Sequence, residues 1–119
     1  MKFVAFSPNG KLLASASYDS TVKLWSTQDG SLVRTLKGHS HAVTSVAFSP
    51  NGKLVASGSW DYTVKLWSTQ DGSLVRTLKW YSNAVLSVAF TLSGATLIVM
   101  TDKEKVEFCF VGPVVEELT

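Results

Sequence analysis

His39 and His41, one residue apart, are the first side chains in this sequence whose type and spacing could do chemistry. On one face of a strand, a His-x-His pair can bind zinc through its imidazole nitrogens, but even a catalytic zinc needs a third protein ligand. The chain has 2 histidines and 1 cysteine, and no thiol or carboxylate stands at ligand spacing to complete a set. No metal site is expected. Ser59, His39 and Asp61 supply the residue types of an acyl-transfer triad. That chemistry needs a nucleophile on a strained, exposed turn beside N–H groups that hold an oxyanion, and no such motif occurs. A phosphate loop of the form Gly-x4-Gly-Lys-Ser/Thr is absent as well, so nucleotide binding is not expected. The residue types point away from an enzyme and from any cofactor.

The composition is that of an ordinary globular domain: 119 residues, 45% hydrophobic and 17% charged. Eleven basic and nine acidic side chains leave a formal +2, and the lysines are scattered singly instead of forming a stripe. Nothing favours nucleic acid as a partner. Cys109 stands alone, which rules out an internal disulfide and fits a reducing compartment. The N-terminus reaches Ser7, Pro8, Asn9 and Gly10 before a signal-type apolar core develops. The longest apolar run, Leu97 to Met100, is far shorter than a bilayer span. These features read as a soluble, cytoplasmic chain with no membrane association.

The elements that must position these residues come in repeats. "VAFSPNGKL" begins at Val4 and again at Val46, and a weaker "VAFTLSGATL" begins at Val88, giving a period of 42. Residues 3–44 and 45–86 differ at nine positions: 3, 13, 16, 18, 20, 38, 39, 41 and 44 in the first copy. Within a copy, Val4 to Ser7, Leu12 to Ser17, Thr21 to Ser26 and Leu32 to Lys37 are short runs rich in Val, Leu, Phe, Trp and Thr. Pro8-Asn9-Gly10 and Asp29-Gly30 lie between them, and Asn-Gly and Asp-Gly readily supply the positive φ of tight hairpin turns. No stretch carries a helical period. The pattern predicts an all-β chain in which a four-stranded antiparallel sheet recurs.

The second repeat resembles the WD-repeat β-propeller family along its whole length. The likeness runs from Gly38-His39 through "VTSVAFSPNGKLVASGSWDYTVKLW" to Trp67-Ser68, where the family's Trp-Asp dipeptide is expected and Ser68 departs from it. The resemblance implies three blades, at about 1–37, 43–79 and 85–118, the last degenerate. It also implies a buried hydrogen-bonded network of His39, Ser59, Asp61 and Trp67. Blade 1 keeps Ser17, Asp19 and Trp25 of that set. Blade 3 has Tyr81, Thr101, Lys103 and Cys109 in their places, so its network is lost and Cys109 becomes a filler thiol. Propellers close with about four to eight blades, so three would not make a ring.

In that family, the turn between strands two and three and the loop into the next blade share one face. Six of the nine differences fall there: Tyr18 and Ser20 against Trp60 and Tyr62, and Gly38, His39, His41 and Thr44 against Trp80, Tyr81, Asn83 and Leu86. The opposite turns, "SPNGK" and "STQDGS", do not change. One-sided change that introduces aromatic residues predicts a partner-binding face built from Tyr18, Ser20, His41, Thr44, Trp60, Tyr62, Trp80, Tyr81, Asn83 and Leu86. The near-identical repeats also resemble the propeller arrays of fungal NACHT-type signalling NTPases, which implies a sensor or scaffold for a protein partner. The alternatives are a structural blade unit, completed by self-association or within a longer chain, and a substrate adaptor in an enzyme complex.

Overall fold

The computed structural model describes residues 3–79, 84–103 and 105–111. These form eleven strands and no helix. Strands β1 (Phe3–Phe6), β2 (Leu12–Ala16), β3 (Thr21–Ser26) and β4 (Leu32–Lys37) make sheet 1, an antiparallel meander in chain order. Sheet 2 repeats it with β5 (Val43–Phe48), β6 (Leu54–Ser59), β7 (Thr63–Ser68) and β8 (Leu74–Lys79). Sheet 3 has β9 (Val85–Phe90), β10 (Thr96–Thr101) and β11 (Val106–Phe110). A fourth strand around Val114-Val115 would fall outside the described residues. The three sheets do not close a ring.

The turns at one end of the stack, the lower end, show why their sequence is held constant. Asn9 Oδ1 accepts from the Lys11 N–H at 2.9 Å and the Ser7 hydroxyl at 2.8 Å, while Gly10 takes a φ of 76°. Asn51, Lys53, Ser49 and Gly52 repeat the arrangement. In the second lower turn, the Ser31 N–H donates to Asp29 at 2.9 Å, as Ser73 does to Asp71 at 3.0 Å. Thr27 ties the two turns together, its hydroxyl donating to the Gly10 carbonyl at 2.6 Å, and Thr69 does the same to Gly52 at 2.8 Å. Nearly every residue of "SPNGK" and "STQDGS" thus has a local bonding task, so their invariance follows from turn geometry.

The core lies between sheets. Ala14, Ala16, Val22, Leu24 and Leu36 on one face of sheet 1 pack against Val43, Val46, Val55 and Trp67 on the facing side of sheet 2. Ala56, Val64 and Leu66, on the other face of sheet 2, pack against Val85, Val88, Leu97 and Val99 of sheet 3. Each fully buried Val or Leu contributes about 1.5–3 kcal/mol. Two polar bonds cross the second interface: the Thr44 hydroxyl donates to the Val85 carbonyl at 2.6 Å, and the Val88 N–H donates to Ser45 Oγ at 3.1 Å. Gly58 permits this approach, because a Cβ there would stand 2.6 Å from Val85 Cγ1. The differences at positions 3, 16 and 44 are thus adjustments at blade contacts, where Ser45, Gly58 and Thr44 act.

Candidate functional site

Beneath the other end of the stack, the upper end, a chain of hydrogen bonds runs through sheet 2. β7 presents Trp67, whose indole N–H donates to Ser57 Oγ at 2.9 Å. Ser57, on β6, stands 2.7 Å from His39 Nε2, and His39 Nδ1 stands 2.8 Å from Asp61 Oδ2. Since Nδ1 faces a carboxylate it carries the proton, and Nε2 is then free to accept from the Ser57 hydroxyl. Asp61 also accepts from the Ser40 N–H at 3.0 Å, the Thr63 N–H at 3.0 Å and the Thr63 hydroxyl. Burial holds the His39 imidazole below its ordinary pKa against the opposing pull of Asp61. Burial pushes Asp61 upward, but the bonds from Thr63, His39 and Ser40 outweigh it, and the carboxyl lies below its usual range. A neutral imidazole locked between a serine and an ionised carboxylate, with the His39 side chain 1% exposed, is a structural brace. It offers substrate no access.

The serine of this chain is Ser57, where Ser59 was expected. Ser59 lies two residues further along β6, at the start of the turn. It donates to the Ala42 carbonyl at 2.9 Å and accepts the Asp61 N–H at 3.0 Å. In sheet 1 the division is the same: Trp25 donates to Ser15 at 3.0 Å, while Ser17 accepts the Asp19 N–H at 3.1 Å. Asp19 is exposed there, and bonds from Thr21 and Ser17 hold its carboxyl far below the usual range. Cys109 packs half-buried against the second core cluster.

Above the brace, the turns between second and third strands carry the aromatic residues. Tyr18, Trp60 and Tyr62 are 55%, 49% and 47% exposed. The Tyr18 and Trp60 rings lie tilted with centroids 6.0 Å apart, joining the first two blades across the surface. Tyr62 takes a φ of +72° and Ser20 one of +79°, in the left-handed region that favours glycine. His41 is exposed in the joining loop and Leu86 is exposed at the start of β9. Thr44 does not belong to this face: it is buried and bonded to sheet 3. His39 also turns inward, and Gly38, though exposed, lies over Trp67 so closely that a Cβ would stand 3.0 Å from its Cη2. Trp80, Tyr81 and Asn83 lie outside the described residues.

The "WD domain, G-beta repeat" family is matched over residues 2–26 and 30–68, together more than half of the chain. The chain belongs to the WD-repeat family. Its fold is that of the family's β-propellers: the crystal structure of the Cps50 (Swd1) β-propeller domain of Myceliophteria thermophila superposes with a TM-score of 0.85 at 25% identity. That match covers 96% of this chain and 36% of the propeller's. Nuclear distribution protein nudF 2 of Penicillium rubens is 49% identical over 43 residues, 36% of this chain and 9% of the relative. COMPASS component SWD3 of Saccharomyces cerevisiae is 44% identical over 43 residues, 36% of this chain and 14% of the relative. The chain thus spans a small part of each relative.

Within this WD-repeat chain, comparing blades separates the two serines. Ser57 is matched by Ser15 and Val99, while Ser59 is matched by Ser17 and Thr101. Blade 3 has Cys109 in place of the tryptophan and therefore no indole N–H to receive, and there the first serine becomes valine. The turn hydroxyl persists as Thr101, whose Oγ1 accepts the Lys103 N–H at 3.4 Å. The residue that vanishes together with the tryptophan is the one bonded to it.

Proposed function

We propose that this chain is a non-catalytic WD-repeat interaction module that binds a protein partner through the upper face, with Tyr18, Trp60 and Tyr62 as anchors and Ser20 and His41 beside them; Leu86, in the position of the buried Thr44, belongs to the blade-contact side of β9 instead. By sequence position Asn83 matches His41 and belongs to the same face, whereas Trp80 and Tyr81 match Gly38 and His39, which stand over Trp67 and in the brace. The observation that carries the reading is Tyr62. A bulky aromatic at positive φ costs about 1–2 kcal/mol that glycine would not, and the side chain held there is exposed instead of packed. Retained strain of this kind is characteristic of functional surfaces. Tyrosine and tryptophan give large, rigid contact area and dominate interface hot spots. One-sided change between repeats adds less than the sequence suggests, because positions 39 and 44 are internal, position 38 lies against Trp67, and the lower turns are constrained. A role in a multiprotein assembly agrees with a relative named as a COMPASS component, and a sensor or adaptor role is a variant of the same reading. The Trp60→Ala, Tyr62→Ser double variant tests it: an unchanged circular dichroism spectrum with lost partner capture supports the proposal, and unchanged capture removes it.

A second reading is favoured by the open sheet faces. Val4 and Phe6 on sheet 1 are 52% and 65% exposed, and Phe108 and Phe110 on sheet 3 are each 69% exposed. Apolar surface of this extent marks an interface. On this reading the three blades are a segment of a larger propeller, completed in cis or by a second chain.

A further inference from the structure

The stretch "VAFSPNGKL" occurs at residues 4–12 and again at 46–54, and each copy sets an asparagine directly before a glycine. In Asn-Gly the main chain readily attacks its own side chain, because glycine has no Cβ to shield the nitrogen that must approach. The glycine nitrogen bonds to the asparagine Cγ and gives up its proton, the bond from Cγ to the amide nitrogen breaks, and ammonia leaves behind a cyclic succinimide. Water then opens the ring at either carbonyl, giving aspartate or, with the main chain rerouted through the former side chain, isoaspartate. Water is the only co-reactant in that balance.

Both turns hold the reaction off in the same way. The Gly10 N–H donates to the Ser7 carbonyl at 2.9 Å and the Gly52 N–H to the Ser49 carbonyl at 2.8 Å, so each attacking nitrogen is tied. The group under attack is tied as well: Asn9 Oδ1 and Asn51 Oδ1 each accept a serine hydroxyl at 2.8 Å and a lysine N–H at 2.9 Å. The two sites differ in what their flanking strands pack on. β5 touches β1 and β2 on one side and β9 on the other, and its Ser45 and Val46 are 8% and 7% exposed, whereas the matching Phe3 and Val4 of β1 are 50% and 52% exposed. Pro8 of the first turn also covers the second, its Cδ lying 3.6 Å from where a Cβ on Gly52 would stand, while nothing comes within 4 Å of the same point on Gly10. Freeing Asn51 takes apart a sheet held between two others. Freeing Asn9 takes apart only the β1–β2 hairpin.

We infer that Asn9 is a site of spontaneous modification by water through a succinimide, and that Asn51, within the same local sequence, is its protected twin. Local opening costs less free energy where few buried apolar contacts are lost, and covalent change of an opened segment follows the population of the open form. The Asp29-Gly30 and Asp71-Gly72 pairs of the other lower turns do not compete. The N–H groups of Ser31 and Ser73 hold both carboxyls below their usual range, and an ionised carboxylate resists attack by nitrogen. These turns also show which product fits, since an aspartate there accepts the N–H two residues on, as Asn9 does from Lys11. Aspartate at position 9 therefore keeps the turn. Isoaspartate lengthens the main chain by one atom between β1 and β2 and breaks the bond pairing of Ser7 with Leu12 that closes the hairpin.

The test follows both sites in the 119-residue chain, held at mildly alkaline pH in heavy-oxygen water so that every ring opened during the incubation carries the label. Trypsin, cutting after Lys2, Lys11, Lys37 and Lys53, puts the two asparagines in separate peptides, residues 3–11 and 38–53, whose labelled aspartate and isoaspartate forms are resolved by chromatography and mass spectrometry. The expected result is conversion of Asn9 at least tenfold faster than Asn51 in native buffer, with the two rates becoming equal in urea that abolishes the circular dichroism spectrum. There the shared sequence alone sets the rate. Equal rates in native buffer, whether slow or fast, would overturn the inference, and so would a faster Asn51. The Asn9→Asp variant should keep the urea midpoint of the parent chain. A lowered midpoint would overturn the fit of aspartate to this turn.

Discussion

Ser57 shows how much one hydroxyl can hold. It receives the Trp67 indole N–H and serves His39 Nε2, so Ser57→Ala strands two buried polar groups at about 1–3 kcal/mol each. Ser15→Ala strands only the Trp25 N–H and should cost about half as much in urea denaturation. Trp67→Ala, which also empties part of the first core, should cost about 3–5 kcal/mol. The brace also gives stability a pH dependence. His39 has a folded pKa below the ordinary 6.5, so the unfolded chain takes up its proton first, and stability is lost as pH falls from 6.5 toward the folded value. Asp61, depressed below 3.8, adds a second loss on further acidification through its own folded pKa. Urea midpoints measured from pH 8 to pH 3 should therefore fall in two stages, and His39→Gln should abolish the upper one. A midpoint that rises between pH 7 and pH 5 would contradict a neutral, buried imidazole.

At the scale of the element, the turn from β6 to β7 is a compromise between folding and surface chemistry. Tyr62→Gly relieves about 1–2 kcal/mol of left-handed strain, offset by about 0.4–1 kcal/mol of added freedom in the unfolded chain. The variant should gain roughly 0.5 kcal/mol in urea denaturation while losing partner capture, a separation that a purely structural tyrosine would not show. Gly58→Ala pushes a methyl into Val85 and should cost about 1–3 kcal/mol, although alanine stands at the same place, position 16, in the first repeat. The strands were legible because alternation in "TVKLW" and the Asn-Gly and Asp-Gly turns act locally. His39, Asp61 and Trp67 could be placed by their motif positions, but Ser57 and Ser59 sit two apart on one strand and both carry hydroxyls. Only the neighbouring blades, or the geometry, tell them apart. Thr44 lies beside a variable loop in the sequence, and that proximity does not reveal that the next blade covers it.

For the whole molecule, the question is whether the exposed apolar faces are free or covered in solution, and two phenylalanines decide it for sheet 3. Phe108 and Phe110 are each 69% exposed, and surface substitutions away from packing features usually change stability by no more than about 0.5 kcal/mol. In a chain whose sheet 3 face is free, Phe108→Lys with Phe110→Lys should leave the urea midpoint nearly unchanged and reduce self-association seen by light scattering. Lysine is tolerated there because it is a usual guard of open strand edges. If a partner surface covers the face, the same pair places two charges in an apolar contact, and the midpoint falls by well over 1.5 kcal/mol and depends on protein concentration. Leu24→Ala supplies the scale for comparison: that side chain is fully buried between sheets 1 and 2, and its loss should cost about 2–5 kcal/mol whatever covers the ends. A double variant as destabilising as Leu24→Ala would show that the end of the stack is an interior surface in solution, and that the three blades are stable only as part of something larger.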